Sequence, residues 1–205
     1  MSVINHAAKT IYFKLVYYGP GLAGKTANLQ YIHRALPDAA KGTMTSLATG
    51  DDRTLFFDFL PVSALTVRGF VTKFQIYTVP GQTYYNMTRK LVLRGADGVV
   101  FVADSQWYRL HENVESFRNL EENLREYEYA LDDIPYVLQY NKRDVDKIAP
   151  LEYLEFLLNR RARRVPSFEA VAVDGKGVFD TLNTVSRMVL AREFGQQLGE
   201  QREAT

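Results

Sequence analysis

Cysteine is absent from the 205-residue chain, which excludes disulfides, thiol catalysis and Cys-ligated zinc and gives no pointer to secretion. An excess of charge of one sign is absent too. Lys and Arg number 25 against 24 Asp and Glu, a formal net charge of +1. That is too little for a global field that would gather nucleic acid, so no nucleic-acid partner is expected. No apolar run approaches the length of a membrane span. The first residues lack the pattern of a secretory signal. Ser2 follows Met1 and the chain ends Glu203-Ala204-Thr205, so neither myristoylation nor prenylation is indicated. With 46% hydrophobic and 24% charged residues, the composition is that of an ordinary globular protein. The expectation is a cytoplasmic chain forming one domain over residues 1–205, with a polar tail from about 197.

What is present is concentrated in Gly19-Pro20-Gly21-Leu22-Ala23-Gly24-Lys25-Thr26. The preceding run, Ile11 to Tyr18, is mostly β-branched and aromatic and reads as a strand. In the following Ala27-Asn28-Leu29-Gln30-Tyr31-Ile32, Leu29 and Ile32 share a helical face. A G-x-x-x-x-G-K-[ST] loop between a strand and a helix is a phosphate cradle. Small residues at Gly19, Gly21 and Gly24 let backbone amides converge on an anion. Leu22, Ala23 and Ala27 complete the loop and the helix start, whose N–H groups and dipole favour negative charge. Lys25 supplies a point charge for the β and γ phosphates, and the Thr26 hydroxyl supplies a ligand for Mg2+. A glycine-rich turn that merely starts a helix is the alternative, and the full match in this context disfavours it.

The first helix runs to Ala35. Pro37 to Gly42 breaks the pattern, and the polar stretch to Arg53 reads as a long mobile loop. Thr54–Leu60 reads as a strand ended by Pro61. A second strand follows over Val67–Tyr77, with Ala64-Leu65 as the hairpin connection. Thr78 to Gln82 is a sharp turn. Thr83–Arg94 reads as a helix with Met87, Leu91 and Val92 inward. Asp97–Asp104 is a continuous apolar run that suits a central parallel strand. An amphipathic helix over 110–128, a strand over Pro135–Tyr140, a helix over 150–158 and a short strand over Phe168–Val171 come next. A last helix spans Val178–Phe194. Strands alternating with helices predict a three-layer α/β domain with a mostly parallel sheet and one antiparallel edge strand. All the motif turns follow strands, so they gather at the carboxyl rim, where such sheets bind ligands.

Asn141-Lys142-Arg143-Asp144 lies on that rim. A carboxylate at Asp144 can accept two parallel N–H bonds from guanine and rejects adenine, which offers an acceptor where guanine has a ring N–H. Lys142 can lay its stem over the base, and Asn141 can tie the turn to the phosphate loop. Alone the tetrapeptide is also explained as a polar loop. In Val171-Ala172-Val173-Asp174, the small Ala172 would let a backbone N–H reach a base oxygen, with Val173 beside it; a buried strand end explains the segment equally well.

In this order, the loop, the Pro80-Gly81-Gln82 turn, Asn141 to Asp144 and Ala172 resemble a Ras-type small GTPase with a P-loop NTPase fold. The closer resemblance is to the bacterial MglA family, small GTPases that set cell polarity in gliding and twitching motility. It is carried by Val16 to Leu22, Ser46 to Thr49, Arg53 to Pro61, Tyr77 to Gln82, Asp97 to Ser105 and Gln139 to Asp144. The resemblance implies GTP and GDP as ligands with Mg2+, slow hydrolysis, and a homodimeric roadblock-fold activator (MglB-like). It implies that Gln82 orients the attacking water, that the Gly81 N–H senses the γ-phosphate, and that Arg53 acts as a finger in cis. Thr78 stands where Ras-like proteins carry an Asp that supports magnesium. The resemblance then leaves that support to Thr26 with Thr54 or Asp58. Ala23 stands where Cys or Ser is expected, a change between small residues with little expected effect.

Arg160 to Arg164 is unusually basic. Cations favoured by a helix C-terminus are the preferred reading. A patch for an acidic partner or a membrane surface is the sharper alternative. Two other functions stay open on the sequence alone: a nucleotide-binding scaffold that barely hydrolyses, motivated by Thr78, and a P-loop kinase or ATPase, which Asp144 opposes.

Overall fold

The computed structural model describes residues 3–48, 54–67, 69–82, 85–161 and 164–203. Its eight-stranded sheet comprises β1 (Val3–Asn5), β2 (Thr10–Tyr18), β3 (Thr45–Ala48), β4 (Thr54–Val67), β5 (Phe70–Thr78), β6 (Gly98–Asp104), β7 (Tyr136–Asn141) and β8 (Ser167–Glu169). The helices are α1 (Lys25–Ala35), α2 (Asn86–Leu93), α3 (Leu110–Arg125), α4 (Leu151–Leu158) and α5 (Val178–Glu203). The strand order is β3-β4-β5-β2-β6-β7-β8, with β1 on the side of β2. Strands β5, β2, β6, β7 and β8 are mutually parallel, and their carboxyl ends form one rim.

Hydrophobic patterning explains the three layers. Every residue of β6 is buried, as an apolar run between two parallel neighbours must be. Side chains alternate across a strand, so β2 feeds two cores. Phe13, Leu15 and Tyr17 join Leu29 and Ile32 of α1 and Leu182, Val185 and Val189 of α5. Val16 and Tyr18 join Val92 of α2, Phe117 and Leu120 of α3 and Leu154 of α4 on the other face.

Several expectations are corrected by long-range pairing. Residues 3–5 extend the sheet by pairing antiparallel with Thr10–Tyr12. The stretch expected as a loop contains β3, antiparallel to β4, so β4 is not the edge, and β3 runs in the same direction as β5. Pro61 does not end β4. Its carbonyl accepts from Gly42 N at 2.9 Å. A residue's N–H and C=O point to the same side of a strand, so the missing N–H faces away from β5 and costs the β4–β5 ladder nothing.

The strands β4 and β5 stay paired to Val67↔Phe70, past the Ala64-Leu65 connection expected, and Gly69 takes φ +80°. The register shift between Ser63 and Thr66 is a bulge, which marks the sequence irregularity there. Helix α2 buries Arg89, Val92 and Leu93, whereas Met87 and Leu91 are 69% and 60% exposed, contrary to the inward placement expected for them. Helix α5 continues past Phe194 to Glu203.

Candidate functional site

The phosphate loop joins β2 to α1. Gly19 sits at φ +143° with the β6 backbone against it: a Cβ there would lie 2.1 Å from Val102 O. Gly24 caps α1 at φ +98°, and its Cβ would lie 2.1 Å from Asn141 Nδ2. Only glycine satisfies both conditions. At Gly21 a Cβ would meet only ordinary contacts at 3.8 Å, so the steric demand expected there falls on Gly81 instead. A Cβ on Gly81 would lie 2.2 Å from Gly21 Cα. The Pro80-Gly81 turn is therefore pressed on the phosphate loop. Among the described residues no side-chain hydrogen bond caps the N-terminus of α1, the end whose dipole favours an anion. Leu22 takes φ +62° and is exposed, Ala23 is buried and Ala27 is half-buried.

Lys25 is buried and donates to Gly19 O at 2.9 Å and Pro20 O at 2.6 Å. Burial pushes its pKa down to about 7, with the charges of Arg89 and Arg109 adding to the fall and Asp58 opposing it. The sign is that of a depressed cation. Between pH 7 and the ordinary 10.5, the unfolded chain carries a proton that the folded chain lacks, so this group's contribution to stability rises with pH across that window. A bound polyphosphate restores the charge. Nucleotide binding at about pH 8.5 should thus take up about one proton. Calorimetry in two buffers of different ionisation enthalpy measures it; identical heats in both would contradict the assignment.

Beside the loop, three hydroxyls converge on the fully buried carboxylate of Asp58 in β4. Thr26 Oγ1 and Thr78 Oγ1 donate to Oδ2 at 2.6 and 2.8 Å, and Ser46 Oγ donates to Oδ1 at 2.5 Å. The Asp58 N–H donates to Thr78 Oγ1 at 2.9 Å, so two adjacent strands fix the side chain. Ser46 lies in a segment that carries the resemblance, but the sequence reading gave it no role at the site. Arg53 and the side chain of Thr54 lie outside the described residues. Gln82 is half-buried at the end of the turn, with its carbonyl accepting from Tyr85 N at 3.2 Å.

At the β7 end of the rim, Asn141 bridges two segments, tying its turn to the phosphate loop as expected. Its Nδ2 donates to Ala23 O at 2.8 Å, and its Oδ1 accepts from Ala172 N at 2.9 Å. The Ala172 N–H is thereby engaged in holding Asn141, not directed to a base oxygen as the sequence reading has it. Val173 and Asp144 are exposed beside it. Lys142 adopts φ +64° and its Nζ lies 2.8 Å from the buried Asp104 carboxylate.

Two arginines with no motif signature also reach the site. Arg109, after β6, donates to Gly21 O at 2.6 Å. Arg89 of α2 donates to Pro80 O at 2.8 Å and to Gly81 O. The basic run lies elsewhere. Arg161 is pinned by Glu121 and by Asp132 at 2.7 Å and lies over the Phe117 ring, which removes it from any loose patch. Arg160 lies over Phe156, and residues 162–163 are outside the described residues.

The Ras family profile matches residues 14–191. The chain is 54% identical over 190 residues to the mutual gliding-motility protein MglA of Myxococcus xanthus, covering 93% of this chain and 96% of that one. It is 25% identical to the Ypt/Rab-type GTPase ypt71 of Schizosaccharomyces pombe, covering 91% of this chain and 86% of that one. To the Ras-related protein Rab-7a of Dictyostelium discoideum it is 26% identical, covering 91% and 87%. A phosphate loop on a parallel sheet, an Asn141 bridge at the same rim and this likeness along nearly the whole length place the chain in the Ras family, as an MglA-like small GTPase that binds and hydrolyses GTP.

Proposed function

We propose that the whole chain is one switch domain whose GTP hydrolysis is slow alone and stimulated by a homodimeric roadblock-type partner. We further propose that it acts in cell motility or polarity. The gliding-motility relative, alike over 96% of its length, supports the process. The single observation that carries the mechanism is the meeting of Thr26, Ser46 and Thr78 on Asp58 next to the phosphate loop.

That donor set is oxygen only, with one carboxylate, and among the described residues no cluster of three acids or histidines competes for a metal. Magnesium suits such a site, because it needs few protein ligands when phosphates supply the rest. Thr26 and Thr54 would hold it directly, with Asp58 behind. Bound there, it would neutralise charge on the β and γ oxygens. Lys25 holds the same phosphates. Gln82 orients water for in-line attack, and Arg53 offsets charge growing between the β and γ groups. The base is read by Asp144, with Lys142 over it. Asn141, Ala172 and Val173 frame the pocket, and the Gly81 N–H faces the γ-phosphate.

The scaffold reading rested on the Thr at position 78. Asp58 removes that motivation, since its carboxylate is 2.8 Å from the Thr78 hydroxyl on the neighbouring strand. Among the described residues no helix is long and apolar enough to cross a membrane. Recruitment to a cell pole belongs to the same proposal.

Single-turnover hydrolysis with and without the roadblock-type partner tests the proposal. Arg53→Ala is expected to lower the stimulated rate by about 10³-fold or more. Gln82→Ala is expected to abolish stimulation while GDP binding persists. Full stimulation in either variant would remove that residue from the mechanism.

A further inference from the structure

Arg89 is the largest fully buried side chain among the described residues, 1% exposed. Among the described residues no carboxylate pairs with its guanidinium in the way that usually compensates burial. The acceptors it uses are neutral: Pro80 O at 2.8 Å, Gly81 O, and Asn119 Oδ1 of α3 at 2.7 Å. The Tyr18 ring centroid lies 5.4 Å away. A residue selected only to fill this space would be apolar, because a charge taken out of water is costly without a strong return. The return must come from what the fork holds in place.

It holds two successive peptide planes. Pro80 O belongs to the plane that carries the Gly81 N–H, and Gly81 O to the plane that carries the Gln82 N–H. Both peptides are trans. In a trans peptide the C=O and N–H point in opposite directions. With both carbonyls drawn to one guanidinium on α2, both N–H groups are turned away from it. A planar fork fixes two acceptors at once, which an ammonium cannot do. The turn held in this way is the one pressed on Gly21 of the phosphate loop.

We infer that Arg89 is a positioning residue for GTP hydrolysis: it locks the Pro80-Gly81-Gln82 backbone so that the Gly81 N–H meets the terminal phosphate and Gln82 is set over the attacking water. This rests on the proposed roles of Gly81 and Gln82. The specific consequence is discrimination. Arg89 acts on the part of the site that only a triphosphate touches, so it should favour GTP over GDP and leave the diphosphate's affinity alone. Asn119 is the far support. It accepts from Arg89 and from the Tyr18 hydroxyl at 2.6 Å, and donates to Asn86 Oδ1 at 3.0 Å.

The test uses the full chain as Arg89→Lys and Asn119→Ala, with Gln82→Ala alongside. Arg89→Lys keeps charge and stem but loses the fork. Its stimulated single-turnover rate should fall about 10²-fold, the effect of a misplaced reacting group. The ratio of GTP to GDP affinity should fall about tenfold, with GDP affinity within about twofold of the parent, since only a hydrogen bond to a charged group is disturbed. Asn119→Ala should move the same two quantities in the same direction by about tenfold or less. If Arg89→Lys does not fold, Asn119→Ala decides. A purely structural role predicts a lower melting temperature with rate and GTP/GDP ratio unchanged, and that result overturns the inference. If Gln82→Ala loses stimulation while both other variants keep it, the inference alone fails. If Gln82→Ala keeps stimulation, the proposed reading of the turn falls and the inference falls with it.

Discussion

Asp58→Asn is expected to weaken magnesium support of bound nucleotide by about 10–100-fold, the usual effect of removing a group that orients metal ligands. The amide has nearly the same shape but no charge. The parent carboxylate accepts from Thr26, Ser46 and Thr78, one hydroxyl from each of three chain segments. An amide offers a single acceptor oxygen and turns an N–H2 toward at least one of them. The Thr26 hydroxyl loses the partner that aims its lone pairs. Dissociation of a fluorescent GDP measured against magnesium concentration gives the readout. An unchanged half-saturating concentration would eliminate Asp58 from metal support.

A second substitution makes the test stringent. In the antiparallel register Phe59 faces Tyr77, so Asp58 and Thr78 are cross-strand neighbours. Adding Thr78→Asp to Asp58→Asn moves the carboxylate one strand inward at the same level. It should recover most of the lost magnesium dependence.

Asp144→Asn should cost GTP affinity on the order of 10⁴-fold, because a site built to pair with a substrate N–H pays heavily when that pairing is lost. Carboxylate oxygens can accept from the guanine ring N–H and its exocyclic amine together. Asparagine keeps one acceptor and presents a donor to the amine, which repels it. Xanthine carries a carbonyl in place of that amine. The same variant should therefore bind xanthosine triphosphate better than GTP. Competition between the two against a fluorescent nucleotide measures the exchange. A variant that still prefers GTP would remove Asp144 from base recognition.

The parts of this molecule that were legible in the sequence are the local ones. The phosphate loop could be read because strand, turn and helix sit within about twenty residues and glycine is required by backbone geometry at Gly19 and Gly24. The strand β6 could be read because all its residues are apolar or small up to Asp104. The Asn141 bridge followed from its place after a strand. What was hidden depends on partners far along the chain. Pro61 reads as a stop until its neighbour Gly42 is known. The buried face of α2 was misplaced because Arg89 takes an inward position that hydrophobic counting assigns to Met87 and Leu91. Arg109 has no local signature and Ser46 was given no role, since the groups they touch, Gly21 and Asp58, are brought to them only by the fold.

The two ends of the sheet carry a last consequence. The strand order finishes in β3 with four residues and β8 with three. Strands this short give an incoming chain few ladder groups to template on. Among the described residues, the two terminal strands thus offer a second copy of the chain few groups for edge-to-edge pairing.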